Sequence, residues 1–484
     1  MTEPDRAWRT WIPLAVALAS LALILPGLGR LDLWYDEAFS VTATHQLWES
    51  LFRRSGSMAL YYLFLAPWKE VSLDAAWLRL PSALAAAASV GVSIRFAASH
   101  FGPRVAAWTG LLLVASYGVT RYGQEARSYA FIMLAVVWSW DCFLRLTGHE
   151  SSPSTRAWAG WGAINAALVY LHPLSGLVAV TQALALRSHP TRADELTRRS
   201  IPGWLTAAAL LVPMLVTFGF RTGAAPNWAP PVGAETFSEA LHLLAGLETG
   251  TQVLVFVALV GASALVLVSP RGGDPEARWR AQSLLWWVWI PPIVLILISL
   301  ANPMFMGRYV IAIVPGASIL MALAIERLPV PRLASLATGA VVVAVISVGW
   351  TSLPRQGHQW RAAADHVAVA IGSDDVHHGV AFNYPEVRQP FEVNGSGHLV
   401  LDKATPVEPS APWGTNLRYH DEMEAGERAE RLADVEVLWV LVQTFGDPDE
   451  PDIEAYEALG YCEADRHWYF PIELVRMEPC HEEQ

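Results

Sequence analysis

Several ionisable side chains stand at the borders of long apolar stretches, where charge is expensive and is therefore a sign of function. Asp36 and Glu37 form an adjacent acidic pair. Gln124-Glu125-Ala126-Arg127 interrupts one apolar region, His172 precedes Pro173 in another, and Arg308-Tyr309 opens a third. Carboxylates in such places can act as a general base or bind a metal ion, and arginines can neutralise a phosphate. Each residue also has a plainer explanation. Asp36 and Glu37 suit the first turn of a helix. Glu125 and Arg127 could pair with each other or with Arg121, His172 could simply end a helix, and Arg308 could reach to lipid headgroups. Chemistry is favoured by their coincidence: in the membrane topology that the rest of the chain supports, all of them fall on one face.

The elements that must position them are membrane spans. The 484 residues are 53% hydrophobic and 16% charged, with 22 tryptophans and a mean hydropathy of +0.31, too apolar for an ordinary soluble chain. Apolar stretches of about the length that crosses a bilayer occur near 11–28, 78–99, 104–121, 128–146, 157–173, 174–188, 201–220, 251–269, 281–301, 307–326 and 333–350. The expected architecture is thus an α-helical integral membrane protein of about eleven transmembrane helices. The first stretch follows Arg6 and Arg9 but lacks a small-residue cleavage site, so it is expected to stay as a span. Basic residues such as Arg104, Arg145, Arg156, Arg187, Arg192, Arg278, Arg280 and Arg327 gather in short connections when the N-terminus is cytoplasmic, as the positive-inside rule requires. An odd number of spans then puts the C-terminal part outside; an even number would put it inside.

Two outer connections are long. The first, 29–77, carries the acidic pair and then the run Met58 to Trp68, too short for a span and expected to lie as a helix in the interface. The second, Arg221 to Gly250, begins with Pro226, Pro230 and Pro231 and is expected to be a loop. Two domains follow: 1–353, the multi-spanning body, and 354–484, a small acidic soluble α/β domain outside the membrane. From Arg355 onward there are 26 Asp and Glu against 9 Lys and Arg, net −17, while the first 354 residues are net +5. That balance argues against a nucleic-acid partner, whose phosphates call for basic patches. Helical spacing in Trp360 to Ile371 and in Asp421 to Ala433, with a strand-like run Val435 to Val442, supports the α/β reading. Cys462 and Cys480 would sit in an oxidising compartment and could pair or remain free.

At the charged residues the chain resembles a known family. Leu33-Trp34-Tyr35-Asp36-Glu37-Ala38, the run Arg121-Tyr122-Gly123-Gln124-Glu125-Ala126-Arg127-Ser128-Tyr129-Ala130, His172-Pro173 between two spans, and Gly307-Arg308-Tyr309 ahead of Pro315 are similar to motifs of the bacterial dolichyl-phosphate-mannose-protein mannosyltransferase-like family. This is a branch of the GT-C glycosyltransferases that also includes the lipid A aminoarabinose transferases. The resemblance covers most of 11–350; in the tail, Trp360-Arg361-Ala362-Ala363 resembles the start of the soluble segment of actinobacterial members. It implies a GT-C-like fold in a bacterial plasma membrane and a polyprenyl-phosphate sugar as donor. It further implies inverting transfer on the outer face to a cell-envelope glycan, lipid or protein. Asp36 would be the base with Glu37 beside it, Arg127 and Arg308 would face the donor phosphate, and Tyr35, Glu125, Tyr129, His172 and Tyr309 would line the pocket. A divalent cation, if one is used, would fall to Asp36 and Glu37. Many members carry a His-Pro-Pro or Lys-Pro element in the first loop where this chain reads Ser57-Met58-Ala59-Leu60-Tyr61-Tyr62, so Arg53, Arg54 or Lys69 would have to replace that phosphate contact.

Mannose is the first expectation for the sugar, from the family's name, and arabinofuranose the second. A transporter or flippase of lipid-linked sugars would instead place its coupling residues near the membrane midplane, and a scaffold subunit would depend on the acidic tail. Two further motifs carry little weight. Asp447-Pro448-Asp449 has the spacing of a nucleotide-sugar metal motif without a nucleotide-binding fold around it, and Asn394-Gly395-Ser396 matches a common glycosylation acceptor pattern.

Overall fold

The computed structural model describes residues 10–44, 47–48, 57–148, 153–219, 230–268, 274–354, 357–373, 375–383, 385–408, 423, 425–443 and 451–480. Arg6, Arg9, Arg53, Arg54, Arg271, Asp421 and the Asp447-Pro448-Asp449 motif therefore lie outside the described residues. In chain order the helices are α1 (Ile12–Ile24), α2 (Tyr35–Thr42), α3 (Ala59–Lys69), α4 (Ala75–His100), α5 (Pro103–Ala115), α6 (Tyr117–Gly123), α7 (Tyr129–Gly148), α8 (Thr155–Leu171), α9 (Leu177–Arg187) and α10 (Ala193–Gly219). They continue with α11 (Ala234–Ala245), α12 (Thr249–Val268), α13 (Pro275–Ala301), α14 (Ile313–Arg327), α15 (Arg332–Ser347), α16 (Trp360–Ser373), α17 (Pro385–Val393), α18 (Gly397–Lys403), α19 (Ala425–Leu432) and α20 (Pro451–Glu457). Among the described residues there are five strands: β1 (His378–Phe382), β2 (Thr405–Glu408), β3 (Val437–Gln443), β4 (Tyr461–Tyr469) and β5 (Ile472–Pro479).

The chain divides into two compact units. The helical unit comprises Met1–Pro26, Arg54–Tyr61 and Arg79–Leu353; the second comprises Gly27–Arg53, Tyr62–Leu78 and Pro354–Gln484, so most of the first long connection belongs with the tail.

In the helical unit each of the eleven expected spans contains a helix. Among the described residues six helices are long and apolar enough to cross a membrane: α4, α7, α10, α12, α13 and the stretch Arg332–Ser352 that begins with α15. Ile12–Gly27 and Pro103–Ala115 are apolar but shorter, and α8, α9 and α14 have 17, 11 and 15 residues. The shortening has local causes. The expected stretch 104–121 breaks at Ser116, whose backbone is extended and whose hydroxyl donates to the Leu243 carbonyl (3.2 Å). The stretch 307–326 opens with a 3₁₀ turn, Gly307–Val310, before α14. His172 and Pro173 separate α8 from a 3₁₀ turn, Pro173–Gly176, that leads into α9.

Tryptophan joins the helices. The rings of Trp140 and Trp287 stack at 5.3 Å. The indole N–H of Trp287 donates to the Ala312 carbonyl (2.8 Å), that of Trp279 to the Ala185 carbonyl (2.8 Å) and that of Trp161 to Gln182 Oε1 (3.1 Å). A large apolar ring with one donor both fills space and, in these three indoles, pairs its N–H with an oxygen. Asp141, buried on α7, is satisfied by His100 (3.0 Å) and Arg145 (3.0 Å). Close approach needs small residues: α8 runs along α10, and a Cβ on Gly162 would run into the Gly203 backbone carbonyl.

In the second unit the sheet has the order β2-β1-β3-β5-β4, with β1 parallel to β2 and β3, and β5 antiparallel to β3 and β4. One face carries Val380, Phe382, Trp439, Leu441 and Leu474 against Trp360, Val367, Val387 and Phe391 of α16 and α17. The other carries Ala381, Leu438, Val440 and Val475 against Leu432, Ile453 and Tyr456 of α19 and α20. This is the expected α/β arrangement. Cys462 and Cys480 form a disulfide between β4 and the residue after β5. The run Met58 to Trp68 is helical from Ala59 onward, as α3, after a turn at Met58 with a φ of 59°. Its Trp68 stacks on Trp77 at 4.3 Å, each indole donating to the other residue's carbonyl (2.9 and 3.0 Å).

Gly203 packs against the Trp158 carbonyl and the Trp161 ring, each 2.7 Å from where its Cβ would be. Gly203→Val is expected to separate α8 from α10 and to lower the thermal midpoint of the purified protein by several degrees. An unchanged melting curve would refute this packing.

Candidate active site

In the helical unit the charged and aromatic residues predicted from the sequence come together where helices break. Arg127 lies in the short link between α6 and α7; its carbonyl accepts the Ser82 hydroxyl (3.1 Å) and its guanidinium lies 5.9 Å from the Tyr129 ring centre. Tyr129, at the start of α7, is 6.4 Å from the His172 ring, and His172 is 4.7 Å from Tyr309. The Arg308 guanidinium lies 5.9 Å from the Tyr309 centre. Two arginines are thus joined through Tyr129, His172 and Tyr309, and both act electrostatically on the His172 imidazole. His172 Nδ1 accepts the Leu174 N–H (3.4 Å), which caps the 3₁₀ turn that follows it.

Glu125 is buried, 1% exposed, and its carboxylate pairs with Arg121 at 2.7 Å. The plain reading of Glu125 as one half of an ion pair is therefore the observed one. A carboxylate matched with Arg121 offsets one positive charge next to Arg127.

Two residues beside this cluster, Glu239 and His242, lie in the connection read as a loop. Residues 234–245 form α11 instead, an amphipathic helix held against the site. Gly307 N–H donates to Glu239 Oε2 (2.9 Å), and a Cβ on Gly307 would run into the Glu239 carbonyl. The His242 ring meets Tyr117 edge-on at 6.0 Å. Burial, with the charges of Arg121 and Arg308 beside it, pushes the His242 imidazole down to about 4, so it is neutral at ordinary pH. The prolines at the head of this connection hide the helix; Leu241 and Leu244, with Phe237 four residues before Leu241, were the available signal.

Tyr35, Asp36 and Glu37 fall in the second unit, at the first turn of α2. Glu37 does what acidic residues do at a helix start: Oε2 accepts the Trp34 N–H (3.3 Å), and the residue is 1% exposed. Asp36 is half-buried, and its own carbonyl accepts the Ser40 hydroxyl (2.9 Å). Tyr35 packs edge-on against Trp360 (5.3 Å) and His358 (5.5 Å). Burial lowers the His358 imidazole, opposed by the nearby Glu37. As a metal site the acidic pair fits poorly. Glu37 turns back onto its own backbone, and among the described residues no group of three His, Cys, Asp or Glu could hold an ion. Lys69, one of the three candidates for a further phosphate contact, is paired with Glu70 at 2.7 Å.

No protein-family model matches the sequence, and no curated protein matches it. Solved structures do. ArnT from Cupriavidus metallidurans in the apo state superposes with a TM-score of 0.61 at 15% identity over 96% of this chain and 97% of that one. Its undecaprenyl phosphate-bound structure gives 0.59 at 16% identity over the same shares. The apo Archaeoglobus fulgidus oligosaccharyltransferase gives 0.53 at 9% identity, over 90% of this chain and 70% of that one. The chain has a GT-C fold. At these identities the likeness speaks to the path of the backbone through both parts of the chain, and the GT-C architecture accounts for a helical membrane unit followed by a small sheet domain.

Glu239 is the joint between α11 and the turn that carries Arg308. Glu239→Ala leaves the Gly307 N–H without its acceptor and is expected to cost about 1–3 kcal/mol, with faster proteolysis in 230–250. Glu239→Gln, which keeps an acceptor oxygen, is expected to lose less. Equal losses in the two variants would show that this hydrogen bond is not what holds α11.

Proposed function

We propose that this protein is a membrane glycosyltransferase that moves a sugar from a polyprenyl-phosphate donor to an acceptor hydroxyl of the cell envelope on the outer face, with inversion. The observation that carries the reading is the Arg127–Tyr129–His172–Tyr309–Arg308 cluster, two guanidiniums brought together at breaks in an apolar bundle. A site that holds two cations in such surroundings suits a phosphate on a lipid. The GT-C fold is shared with a protein solved with undecaprenyl phosphate, which supports a donor of that kind.

In the reaction so read, Asp36 takes the proton of the acceptor hydroxyl while its oxygen attacks the anomeric carbon. The bond from that carbon to the phosphate oxygen breaks, and its electron pair leaves with the lipid phosphate. A diester carrying one negative charge becomes a monoester carrying up to two, and Arg127 and Arg308 stabilise the added charge. A single displacement inverts the anomeric centre. His172 and the two tyrosines shape the pocket, and Glu37 caps α2 so that Asp36 alone serves as base. Mannose is the sugar favoured by the sequence resemblance, with arabinofuranose next.

Asp36→Asn is expected to lower turnover by at least a thousandfold with donor binding retained. Arg127→Ala and Arg308→Ala are each expected to lose about 2–4 kcal/mol of transition-state stabilisation, the usual size for one electrostatic contact. Radiolabelled polyprenyl-phosphate sugar and purified variants measure both. Turnover at the wild-type rate in Asp36→Asn removes the base assignment, and unchanged kinetics in both arginine variants removes the phosphate site.

A further inference from the structure

The segment that presents Asp36 is tied, residue by residue, to side chains more than three hundred positions away. Leu33 N–H donates to Asn394 Oδ1 (2.9 Å), and Asn394 Nδ2 donates both to the Leu33 carbonyl (2.9 Å) and to the Pro390 carbonyl (2.7 Å). The Asn394 amide thus pairs with Leu33 as a neighbouring strand would, using an acceptor and both donors at once. Asn394 is 2% exposed and Leu33 is fully buried, so water cannot replace these bonds. On one side of Leu33, Asp32 accepts the Arg361 N–H (2.9 Å) and lies 3.5 Å from the Arg361 guanidinium. On the other side, Tyr35 is wedged against His358 and Trp360. Asp36 and Glu37 follow at once.

The same asparagine begins the Asn394-Gly395-Ser396 acceptor pattern. Its burial and its three hydrogen bonds leave no amide nitrogen for a glycan. Gly395 takes a positive φ of 58° and sits where a Cβ would meet Arg361 and Asp365, and the Ser396 N–H donates to Asp365 Oδ1 (3.0 Å). The pattern is a tight turn that delivers the amide, with no use made of the Ser396 hydroxyl in it.

We infer that Asn394 is a positioning residue for Asp36: the tail acts in the reaction by clamping residues 32–35, which sets how the carboxylate is presented. The inference rests on the reading of Asp36 as the base, and it gives the acidic tail a part in the chemistry without requiring it to touch substrate.

The test uses the full-length protein in lipid nanodiscs with Asn394→Ala, Asn394→Asp and Ser396→Ala. Asn394→Ala is expected to bind donor at full stoichiometry with Kd within threefold of wild type, while turnover per donor site falls at least a hundredfold. Asn394→Asp keeps the acceptor and loses the donors, so it is expected to fall by about tenfold. Ser396→Ala removes the glycosylation pattern but keeps the turn, and it is expected to behave as wild type. Hydrogen exchange in 31–42 is expected to accelerate in Asn394→Ala, with the helical unit unchanged. Wild-type turnover in Asn394→Ala, unchanged exchange in 31–42, or a loss in Ser396→Ala equal to that in Asn394→Ala would each overturn the inference. Absence of any transfer by the wild-type protein would defeat the proposed function instead, and the exchange measurement would still decide the clamp.

Discussion

Wherever a helix breaks inside an apolar bundle, backbone N–H and C=O groups lose their partners and lipid offers none. This protein meets that constraint with side chains close to Arg127 and Arg308. The Leu243 carbonyl takes the Ser116 hydroxyl at the break between α5 and α6. His172 caps the turn after α8 through Nδ1, and Glu239 takes the Gly307 N–H at the turn before α14. Arg308 follows Gly307, whose N–H is held by Glu239, and the Arg127 carbonyl takes the Ser82 hydroxyl, so both arginines stand where a side chain satisfies the backbone.

Charge in the cluster is managed in the same economical way. Glu125 is matched with Arg121, His242 is kept neutral by burial and by the arginines around it, and rings of Tyr129 and Tyr309 lie beside the guanidiniums. Aromatic faces attract a cation without neutralising it. Two guanidiniums thus stand near one another among rings and apolar helices, where electrostatic interactions are stronger than in water. The second unit treats its own acidic pair differently. Glu37 is spent on the helix start, and the chain ahead of Asp36 is held by an amide, an ion pair and two aromatic contacts.

Much of this was legible in the residue pattern. The eleven apolar stretches mark helices because length and apolarity are local properties, and the charged residues at their ends stand out because lipid penalises them. The strand Val437–Gln443 and the helix from Trp360 could likewise be read from periodicity. What escaped was non-local. α11 looked like loop because prolines precede it, and its place depends on Gly307 and Ser116 far along the chain. The Asn394-Gly395-Ser396 pattern carries little weight in the sequence, where nothing near it announces a partner 361 residues away. The pairing of Cys462 with Cys480 was one of two open options, since spacing alone does not say whether two thiols meet.

The central claim is that the cluster of arginines in the helical unit accepts the phosphate of a lipid-linked sugar whose sugar is then transferred. The direct measurement offers the purified protein a panel of radiolabelled polyprenyl-phosphate sugars together with envelope acceptors and follows the label. One labelled sugar is expected to leave its lipid for an acceptor with inverted anomeric configuration, and free polyprenyl phosphate to appear in equal amount. Label that stays on the lipid with every sugar and acceptor, or that crosses the bilayer with the donor intact, would contradict it.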